Sequence, residues 1–264
     1  MTKPDTKTLQ QAADALRDAH DNRTVCAPVR EMLGDATPED AYAVQDLNTE
    51  RWLKEGRHPV GRKIGLTSAV IQKQFGVDHP DYGILYADMA VADGEEIPLD
   101  RLIQPKVEGE IAFYLGDDLD GEGLTSADVM AAVDYVVASA EIVDSRIRDW
   151  DIRSTDTIAD NASSGVYVLG SQPRKLTELD LRMCGMVLEH KGEPVSVGAG
   201  AACLGNPLTA ALWLARKMVE VGRPLKKGDL VLSGALGPMV TVEPGSAYEC
   251  RISGLGSVHV NFSG

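Results

Sequence analysis

The sequence predicts an α+β fold, because helical patterns fill its first sixty residues whereas short strand-like runs dominate its C-terminal half. Two longer apolar runs, over residues 107–115 and 135–143, lie between these regions and are separated by a short segment that begins like a helix. The order of the elements is not the regular alternation of strands and helices that builds a parallel sheet.

Two helices are predicted before residue 60. The run over residues 9–20 is rich in alanine and amphipathic. The second helix has a start signal at Thr37, which can cap, followed by Pro38 at the first helical position, and Gly56 is expected to end it. Over residues 60–93, glycine, proline and aspartate break the apolar pieces, which predicts a loop-rich segment able to close over a site.

Two more helices and a series of strands are predicted beyond residue 95. A short helix is expected to begin at Thr125 or Ser126, and a longer one is expected to begin at Asn206-Pro207 and to end at Gly222. Short apolar runs divided by glycine and proline then indicate antiparallel β structure at the end of the chain. These runs are Leu230–Ser233, Met239–Val242, Tyr248–Ile252 and Ser257–Phe262.

The composition excludes several classes of function. The 264 residues include 40 acidic and 26 basic side chains, which gives a formal charge of −14. This charge repels phosphate backbones and anionic membranes, so neither nucleic acid nor a membrane is an expected partner. The four cysteines are scattered without a CxxC pair, the N-terminus is polar rather than signal-like, and no apolar stretch approaches the about 20 residues of a spanning helix. These features predict a soluble, cytoplasmic protein with free, mostly buried thiols.

Two glutamates, Glu108 and Glu110, stand one residue apart inside an otherwise apolar run. Because alternate side chains of a strand share a face, both carboxylates are expected on one face and the apolar residues on the other. Glu141, near the end of the second apolar run, could complete a set of three oxygen ligands for a hard cation, Mg²⁺ or Mn²⁺ rather than zinc. Alternatively, the two glutamates form the solvated face of an antiparallel strand.

Four segments of the chain resemble one enzyme family, and they are Gly61–Ser68, Glu108–Phe113, Glu141–Trp150 and Ala159–Ser164. Each is similar to a segment of the 2-hydroxypenta-2,4-dienoate (2-keto-4-pentenoate) hydratases, in the hydratase/decarboxylase family of the fumarylacetoacetate hydrolase superfamily. The resemblance runs over essentially the whole chain, with the segments in the correct order. It implies a fumarylacetoacetate-hydrolase-like mixed β-roll core over residues 96–264 and a helical, lid-containing N-terminal part over residues 1–95, or a single domain.

The resemblance implies a lyase of the hydro-lyase class. Its reaction adds water to 2-hydroxypenta-2,4-dienoate and gives 4-hydroxy-2-oxopentanoate in the meta-cleavage catabolism of aromatic compounds. On this basis Glu108, Glu110 and Glu141 are the ligands of Mg²⁺ or Mn²⁺, on which a small 2-oxo or 2-hydroxydienoic acid can chelate. The family also suggests a homo-oligomer, with a related decarboxylase or a downstream aldolase as an associated partner.

Further residues gain roles from the resemblance. Lys63 matches an active-site lysine and is the candidate acid/base group, and Asp81 matches an aspartate placed to pair with that lysine. From the residues alone, Lys63 is a surface charge and Asp81 a turn residue. Asn161 and Ser163 could hold the substrate carboxylate or serve as turn or capping residues.

Asp144 and Arg146 follow Glu141 closely in the sequence. They could orient Glu141, or they could form a surface ion pair of small energetic value. A further alternative is that Arg146 binds an anionic substrate.

Three other functions compete with the hydratase. The related 4-oxalocrotonate (2-oxo-3-hexenedioate) decarboxylases share the metal site and the lysine, so likeness of fold cannot separate them from hydratases. The residues at 108–113 and 146–152 resemble the hydratases more closely. The C–C bond hydrolases of acylpyruvates are a poorer match, because their N-terminal histidine and glutamate motif is missing. The intact Lys63, Asp81 and three glutamates argue against a non-catalytic partner subunit.

Overall fold

The computed structural model describes residues 3–75 and 77–264, and over these residues the chain forms seven α-helices and thirteen strands. The helices are α1 Thr6–Asn22, α2 Arg30–Leu33, α3 Pro38–Lys54, α4 Ala69–Phe75, α5 Ser126–Ala132, α6 Ser154–Ala159 and α7 Pro207–Glu220. The strands are β1 Pro59–Gly65, β2 Asp81–Tyr86, β3 Ala90–Val91, β4 Glu96–Ile97, β5 Pro105–Leu115, β6 Val133–Asp144, β7 Ser164–Leu169, β8 Gly185–His190, β9 Glu193–Ala199, β10 Leu230–Leu232, β11 Val240–Thr241, β12 Ala247–Ile252 and β13 Gly256–Phe262.

The predicted N-terminal helices are confirmed. Helix α3 begins with a capping box, in which Thr37 Oγ1 accepts from the Asp40 amide at 3.4 Å and the Asp40 carboxylate accepts from the Thr37 amide at 3.0 Å. Gly56, with a φ of +91°, follows the end of this helix. Helices α1, α2 and α3 bury one apolar cluster together with Ile147 and Ile158, which attaches the helical part to the segment that follows β6.

Eight strands form the larger sheet, in the order β2-β1-β10-β5-β6-β7-β3, with β11 also paired to β5. Strand β1 runs parallel to β10, whereas β2 pairs with β1, and β6 with both β5 and β7, in antiparallel fashion. The prediction of a loop-rich segment over residues 60–93 was therefore wrong, because this segment supplies β1 and β2. Gly61 marks a close approach of two strands: a Cβ at this position would lie 1.8 Å from the Leu230 carbonyl oxygen of β10.

The smaller sheet has the order β4-β13-β12-β8-β9. Strands β12 and β13 pair antiparallel, as predicted for the end of the chain, but the predicted strand at Leu230 belongs to the larger sheet instead. Strands β8 and β9 were not predicted. Most of β9 is exposed, so the alternation of apolar and polar residues that signals a strand is weak there.

The two faces of β5 have different surroundings. The predicted apolar face is confirmed, because its side chains lie in the main core with Leu214 of α7; they are Val107, Ile111, Phe113 and Leu115. Helices α5 and α7 begin after Thr125 and Asn206, as their capping signals predict. The opposite face of β5 carries the two glutamates and then Ala112, which packs with Val137 of β6 in a second apolar cluster.

No helix within residues 3–75 and 77–264 is long and apolar enough to cross a membrane. All four cysteines are free, as predicted. Three of them, Cys184, Cys203 and Cys250, are buried in the main core, so they act as small apolar side chains there.

Candidate active site

The pairing of β5 with β6 brings the three predicted carboxylates together. Glu108 lies directly opposite Glu141, and Glu110 is one step further along the same face of β5. One oxygen atom of each glutamate lies within 4.8 Å of those of the other two. Glu110 and Glu141 are buried, with 0% and 1% of their surface exposed. Because Glu110 is buried and Glu108 is only partly exposed, the alternative of a solvated strand face is wrong.

Several oxygen atoms of this cluster are left without protein partners. Glu110 Oε2 accepts a hydrogen bond from the Gly234 amide at 3.0 Å, which orients the carboxylate. Glu110 Oε1 and Glu141 Oε2 accept no hydrogen bond from residues 3–75 and 77–264, whereas Glu141 Oε1 lies 2.9 Å from Lys63 Nζ in an ion pair. Buried carboxylate oxygens need a partner, and a hard divalent cation prefers such oxygens. The three glutamates therefore fit Mg²⁺ or Mn²⁺.

The electrostatics of the cluster also favour a cation. Burial raises the pKa of Glu108 to about 7, and the nearby charge of Glu141 adds to the effect. Burial likewise raises the pKa of Glu110 well above its usual value, and it raises the pKa of Glu141 as well. Carboxylates that are buried and close together resist ionisation unless positive charge compensates them. Lys63 supplies one such charge, and a divalent cation would supply two more.

Lys63 lies on β1, on the same face as the glutamates. Lys63 is opposite Leu232 of β10, and Leu232 is in turn opposite Ala112 of β5. Only 3% of the surface of Lys63 is exposed. Burial opposes a charge on Lys63, but the carboxylates around it, above all that of Glu141, outweigh burial and raise the pKa of its ammonium group. The ion pair is formed with Glu141, whereas the resemblance implied a pair with Asp81.

Asp81 is the first residue of β2 and is 1% exposed. Burial raises its pKa to about 6, against the opposing effect of Lys63, and neither carboxylate oxygen has a hydrogen-bond partner among the described residues. Asp81 is paired with Gly65, and a Cβ at that position would lie 2.1 Å from Asp81 Oδ1. The absence of a side chain at Gly65 is therefore what allows the Asp81 carboxylate to occupy its place beside β1.

Asn161 and Ser163 lie in a turn that has an unusual backbone. Asn161, Ala162 and Ser163 have φ angles of +53°, +50° and +52° in succession. Each such non-glycine residue costs about 1–2 kcal/mol, and strain of this kind is concentrated at functional sites. The side-chain oxygen of Asn161 accepts from the Ile84 amide at 2.7 Å, and its side-chain nitrogen donates to the Ile84 carbonyl oxygen at 2.9 Å. Ser163 Oγ lies 3.3 Å from Thr157 Oγ1. Both side chains are therefore hydrogen-bonded within the protein.

The turn over residues 161–163 packs against Gly83, where a Cβ would lie 2.4 Å from the Asn161 carbonyl oxygen. Gly83 is the partner of Lys63 across the β1–β2 pair. The strained turn therefore lies beside the residue directly opposite Lys63 in the β1–β2 pair.

Asp144 and Arg146 are buried, with 4% and 5% of their surface exposed, so the interpretation as a surface ion pair was wrong. Arg146 forms its ion pair with Asp160 and also donates to the carbonyl oxygens of Asp144 at 2.6 Å and Ser164 at 2.8 Å. Asp144 accepts from the amides of Ile103 and Gln104. Arg146 thus joins the end of β6 to the start of β7.

Asp160 was not predicted as a functional residue. Burial raises its pKa to about 6, although Arg146 opposes that shift. The sequence contained a signal for the role of Asp160. It is the charged residue of segment 159–164, whose other residues are small or polar, and a charge in a buried segment needs a partner.

A cavity of about 430 Å³ lies between the start of α3 and one face of α7. Tyr42, His79 and Trp213 line it, together with Pro80, the residue that precedes Asp81. This space therefore reaches the chain immediately before the first residue of β2.

The chain is similar to known proteins over nearly its whole length. The family described as Fumarylacetoacetate (FAA) hydrolase C-terminal matches residues 65–263. A protein from Pseudomonas putida named TodF product hydratase is 59% identical over 258 residues, which cover 98% of this chain and 96% of the relative. The 2-keto-4-pentenoate hydratase of Paraburkholderia xenovorans is 57% identical over 253 residues, which cover 96% of this chain and 94% of that protein.

A solved structure has nearly the same fold. It is 4-oxalocrotonate decarboxylase from Pseudomonas putida G7, complexed with magnesium and adipate, and it is 36% identical with a TM-score of 0.94 over 99% of this chain and 100% of that chain. The predicted mixed β core with N-terminal helices is therefore confirmed. Because the family match spans most of the chain and the relatives span nearly all of it, the chain belongs to the fumarylacetoacetate hydrolase family, among the relatives named 2-keto-4-pentenoate hydratases.

Proposed function

We propose that the chain is a metal-dependent hydratase that converts 2-hydroxypenta-2,4-dienoate and water into 4-hydroxy-2-oxopentanoate. The observation that carries the proposal is the buried cluster of three glutamates beside Lys63 and Asp81. Relatives that are 51–59% identical over nearly the whole chain bear hydratase names, which supports this reaction over others of the family.

Glu108, Glu110 and Glu141 would hold the cation, because one oxygen atom of each lies within 4.8 Å of those of the other two. Bound Mg²⁺ or Mn²⁺ would supply positive charge that stabilises an enolate oxygen at C2 of the substrate. The anionic cluster by itself repels a carboxylate substrate, so the substrate depends on that charge for binding.

The remaining steps are proton transfers and one addition of water. The 2-hydroxyl loses a proton while C5 gains one, so the C2–C3 and C4–C5 double bonds are replaced by a C2 carbonyl conjugated with a new C3–C4 double bond. The oxygen atom of water then bonds to C4 while the water gives up one proton, and C3 gains a proton. Lys63 Nζ and the unpartnered Asp81 carboxylate are the groups of this site that can carry those protons, because both are buried on the same face as the glutamates.

Asn161, Ser163 and Arg146 enter the proposal in different ways. Asn161 and Ser163 hold the strained turn next to the partner strand of Lys63, from which Ser163 Oγ or a turn amide could bind the substrate carboxylate. The nitrogen atoms of Arg146 are engaged by Asp160, Asp144 and Ser164, so contact with substrate would require these bonds to break.

A second candidate is 4-oxalocrotonate decarboxylase, because a solved decarboxylase has a TM-score of 0.94 and covers 99% of this chain. The proposal also places the hydratase in meta-cleavage catabolism of aromatic compounds, as a homo-oligomer with a related decarboxylase or an aldolase nearby in the reaction sequence.

The test supplies freshly generated 2-hydroxypenta-2,4-dienoate and, separately, 2-oxo-3-hexenedioate to the Mg²⁺-loaded protein. Loss of ultraviolet absorbance is followed and the products are identified by mass. Hydration of the first compound without CO₂ release from the second supports the hydratase. Release of CO₂ from the second compound makes the chain the decarboxylase, and no reaction with either compound refutes both functions.

A further inference from the structure

The face of β5 and β6 that carries the glutamates consists of successive cross-strand pairs. Glu108 faces Glu141 at one end, and Ala112 faces Val137 in the apolar cluster further along. Between these two layers, Glu110 faces Ser139. Ser139 therefore occupies the position where the carboxylate cluster meets the apolar core.

The hydroxyl group of Ser139 is buried without a partner. None of its surface is exposed, and its Oγ makes no hydrogen bond with residues 3–75 and 77–264. Other buried serines of the sheets are satisfied: Ser164 Oγ donates to the Asn161 carbonyl oxygen at 2.7 Å, and Ser196 Oγ donates to the Pro238 carbonyl oxygen at 2.7 Å. An unsatisfied buried hydroxyl costs about 1–3 kcal/mol, whereas alanine at the same position would cost nothing of this kind.

The acceptor that this hydroxyl lacks lies on the facing strand. Side chains directly opposite each other in an antiparallel pair have their Cβ atoms about 4.5–5.5 Å apart, which is within reach of a carboxylate on one side and a hydroxyl on the other. Glu110 Oε1 also has no hydrogen-bond partner among the described residues, while its other oxygen atom accepts from the Gly234 amide. A donor and an acceptor in the same cross-strand pair are thus both unsatisfied.

We propose that Ser139 is a positioning residue of the cation site, whose hydroxyl donates a hydrogen bond to the Glu110 carboxylate when a divalent cation draws the three glutamates together. The bond fixes Glu110 from the side of the apolar core, opposite the Gly234 amide. Ser139 does not touch the reacting atoms. This inference rests on the proposed metal-dependent function.

The experiment compares Ser139→Ala with the wild-type protein in two measurements. Mn²⁺ is titrated into the metal-free protein by calorimetry, and the thermal unfolding of the metal-free protein is recorded. We expect the Kd for Mn²⁺ to rise about tenfold, as is typical when a hydrogen-bond partner of a metal ligand is lost. The Tm of the metal-free variant should be equal to or higher than that of the wild type, because the substitution removes an unsatisfied hydroxyl.

Ser196→Ala is the matched control, because its hydroxyl is satisfied and lies on the smaller sheet. It should lower the Tm of the metal-free protein and leave the Kd for Mn²⁺ unchanged. The inference is overturned if Ser139→Ala keeps the wild-type Kd, or if its metal-free form unfolds at a lower temperature than the wild type. A wild-type protein that binds Mn²⁺ but does not hydrate the dienoate would overturn the proposed function and leave this inference standing.

Discussion

Lys63 carries one positive charge among the carboxylates of Glu141, Asp81, Glu108 and Glu110. Its removal makes the cluster more negative and does not remove an oxygen ligand, so a cation should still bind. The replacement of Glu108 by glutamine, by contrast, would remove the negative charge of one of the three proposed ligands. Substitutions of Lys63 and of Glu108 should therefore separate an effect on proton transfer from an effect on metal binding.

We expect Lys63→Met to lower kcat at least about 100-fold, as the loss of an acid/base group does, and to leave the Kd for Mn²⁺ within about threefold of the wild-type value or tighter. Glu108→Gln should weaken Mn²⁺ binding and lower activity together. Calorimetry and steady-state kinetics on both variants check this, with Lys175→Met as a control at an exposed position. Near-normal turnover of Lys63→Met would show that another group moves the protons.

Arg146 forms a buried ion pair with Asp160, and its removal leaves that carboxylate without its charge partner. We expect Arg146→Met to lower the free energy of unfolding by about 3–5 kcal/mol, the usual cost of breaking such a pair on one side. Urea denaturation of the metal-free protein measures this. Arg182→Met, at an exposed position, should change the free energy by no more than about 0.5 kcal/mol. If Arg146→Met lowers the free energy of unfolding no more than Arg182→Met does, a stabilising role of the Arg146 ion pair is contradicted.

Alternation along a strand was sufficient to predict Glu108 and Glu110 on one face, but the assignment of Glu141 to the same set of ligands rested on the resemblance. The sequence could not show that Gly234 donates to Glu110 or that Asp160 pairs with Arg146. Gly234 lies 124 residues from Glu110 in the chain, and nothing in the local pattern around either residue indicates the contact.

At the scale of single elements, the β1–β2 pair depends on Gly65. A Cβ there would lie 2.1 Å from Asp81 Oδ1, so the carboxylate of the buried Asp81 would have to move. We expect Gly65→Ala to displace the Asp81 carboxylate and to reduce kcat as strongly as Asp81→Ala does, while Mn²⁺ binding is retained. Gly121→Ala is the control, because the nearest atom to a Cβ there is 3.8 Å away. Unchanged kcat in Gly65→Ala would mean that the position of Asp81 is not critical.

The elements differed in how well they could be predicted. Capping residues located the starts of α3, α5 and α7, because Thr37, Thr125 and Asn206 act within one turn of their own helix. The same local logic misassigned residues 60–93 as loops, since Gly61, Gly65 and Gly83 lie in strands and make close contacts there rather than turns. The left-handed turn at residues 161–163 was not predictable, because asparagine, alanine and serine do not signal three successive positive φ angles.

For the whole molecule, the cation is expected to be a source of stability as well as of activity. A ligand that binds only the folded state at 100 times its Kd adds about 2.7 kcal/mol to the free energy of unfolding. We therefore expect Mn²⁺ or Mg²⁺ to raise the Tm of the protein, and EDTA to reverse the rise and abolish hydration of the dienoate. Thermal unfolding with and without chelator measures the first effect. Full activity after chelation and verified loss of metal would contradict a metal-dependent reaction.

The class of the fold followed from the order of helices and strands, but the arrangement of the sheets did not. Strand β10 was expected to belong with the terminal antiparallel strands, yet it lies between β1 and β5 in the larger sheet. Such an arrangement is set by which apolar faces fit together in three dimensions, and β10 is too short, at three residues, to carry that information in its own sequence.

The parallel pairing of β1 with β10 has a consequence for biosynthesis. Lys63 and its partner Leu232 are about 170 residues apart, so the strand that bears the lysine has no place in the sheet until most of the chain has left the ribosome. The β5–β6 hairpin with its three glutamates is complete much earlier. During synthesis the nascent protein thus holds a set of carboxylates before it holds their counter-charge, and final docking of β1 is expected to be a slow, late event that closes a very long loop.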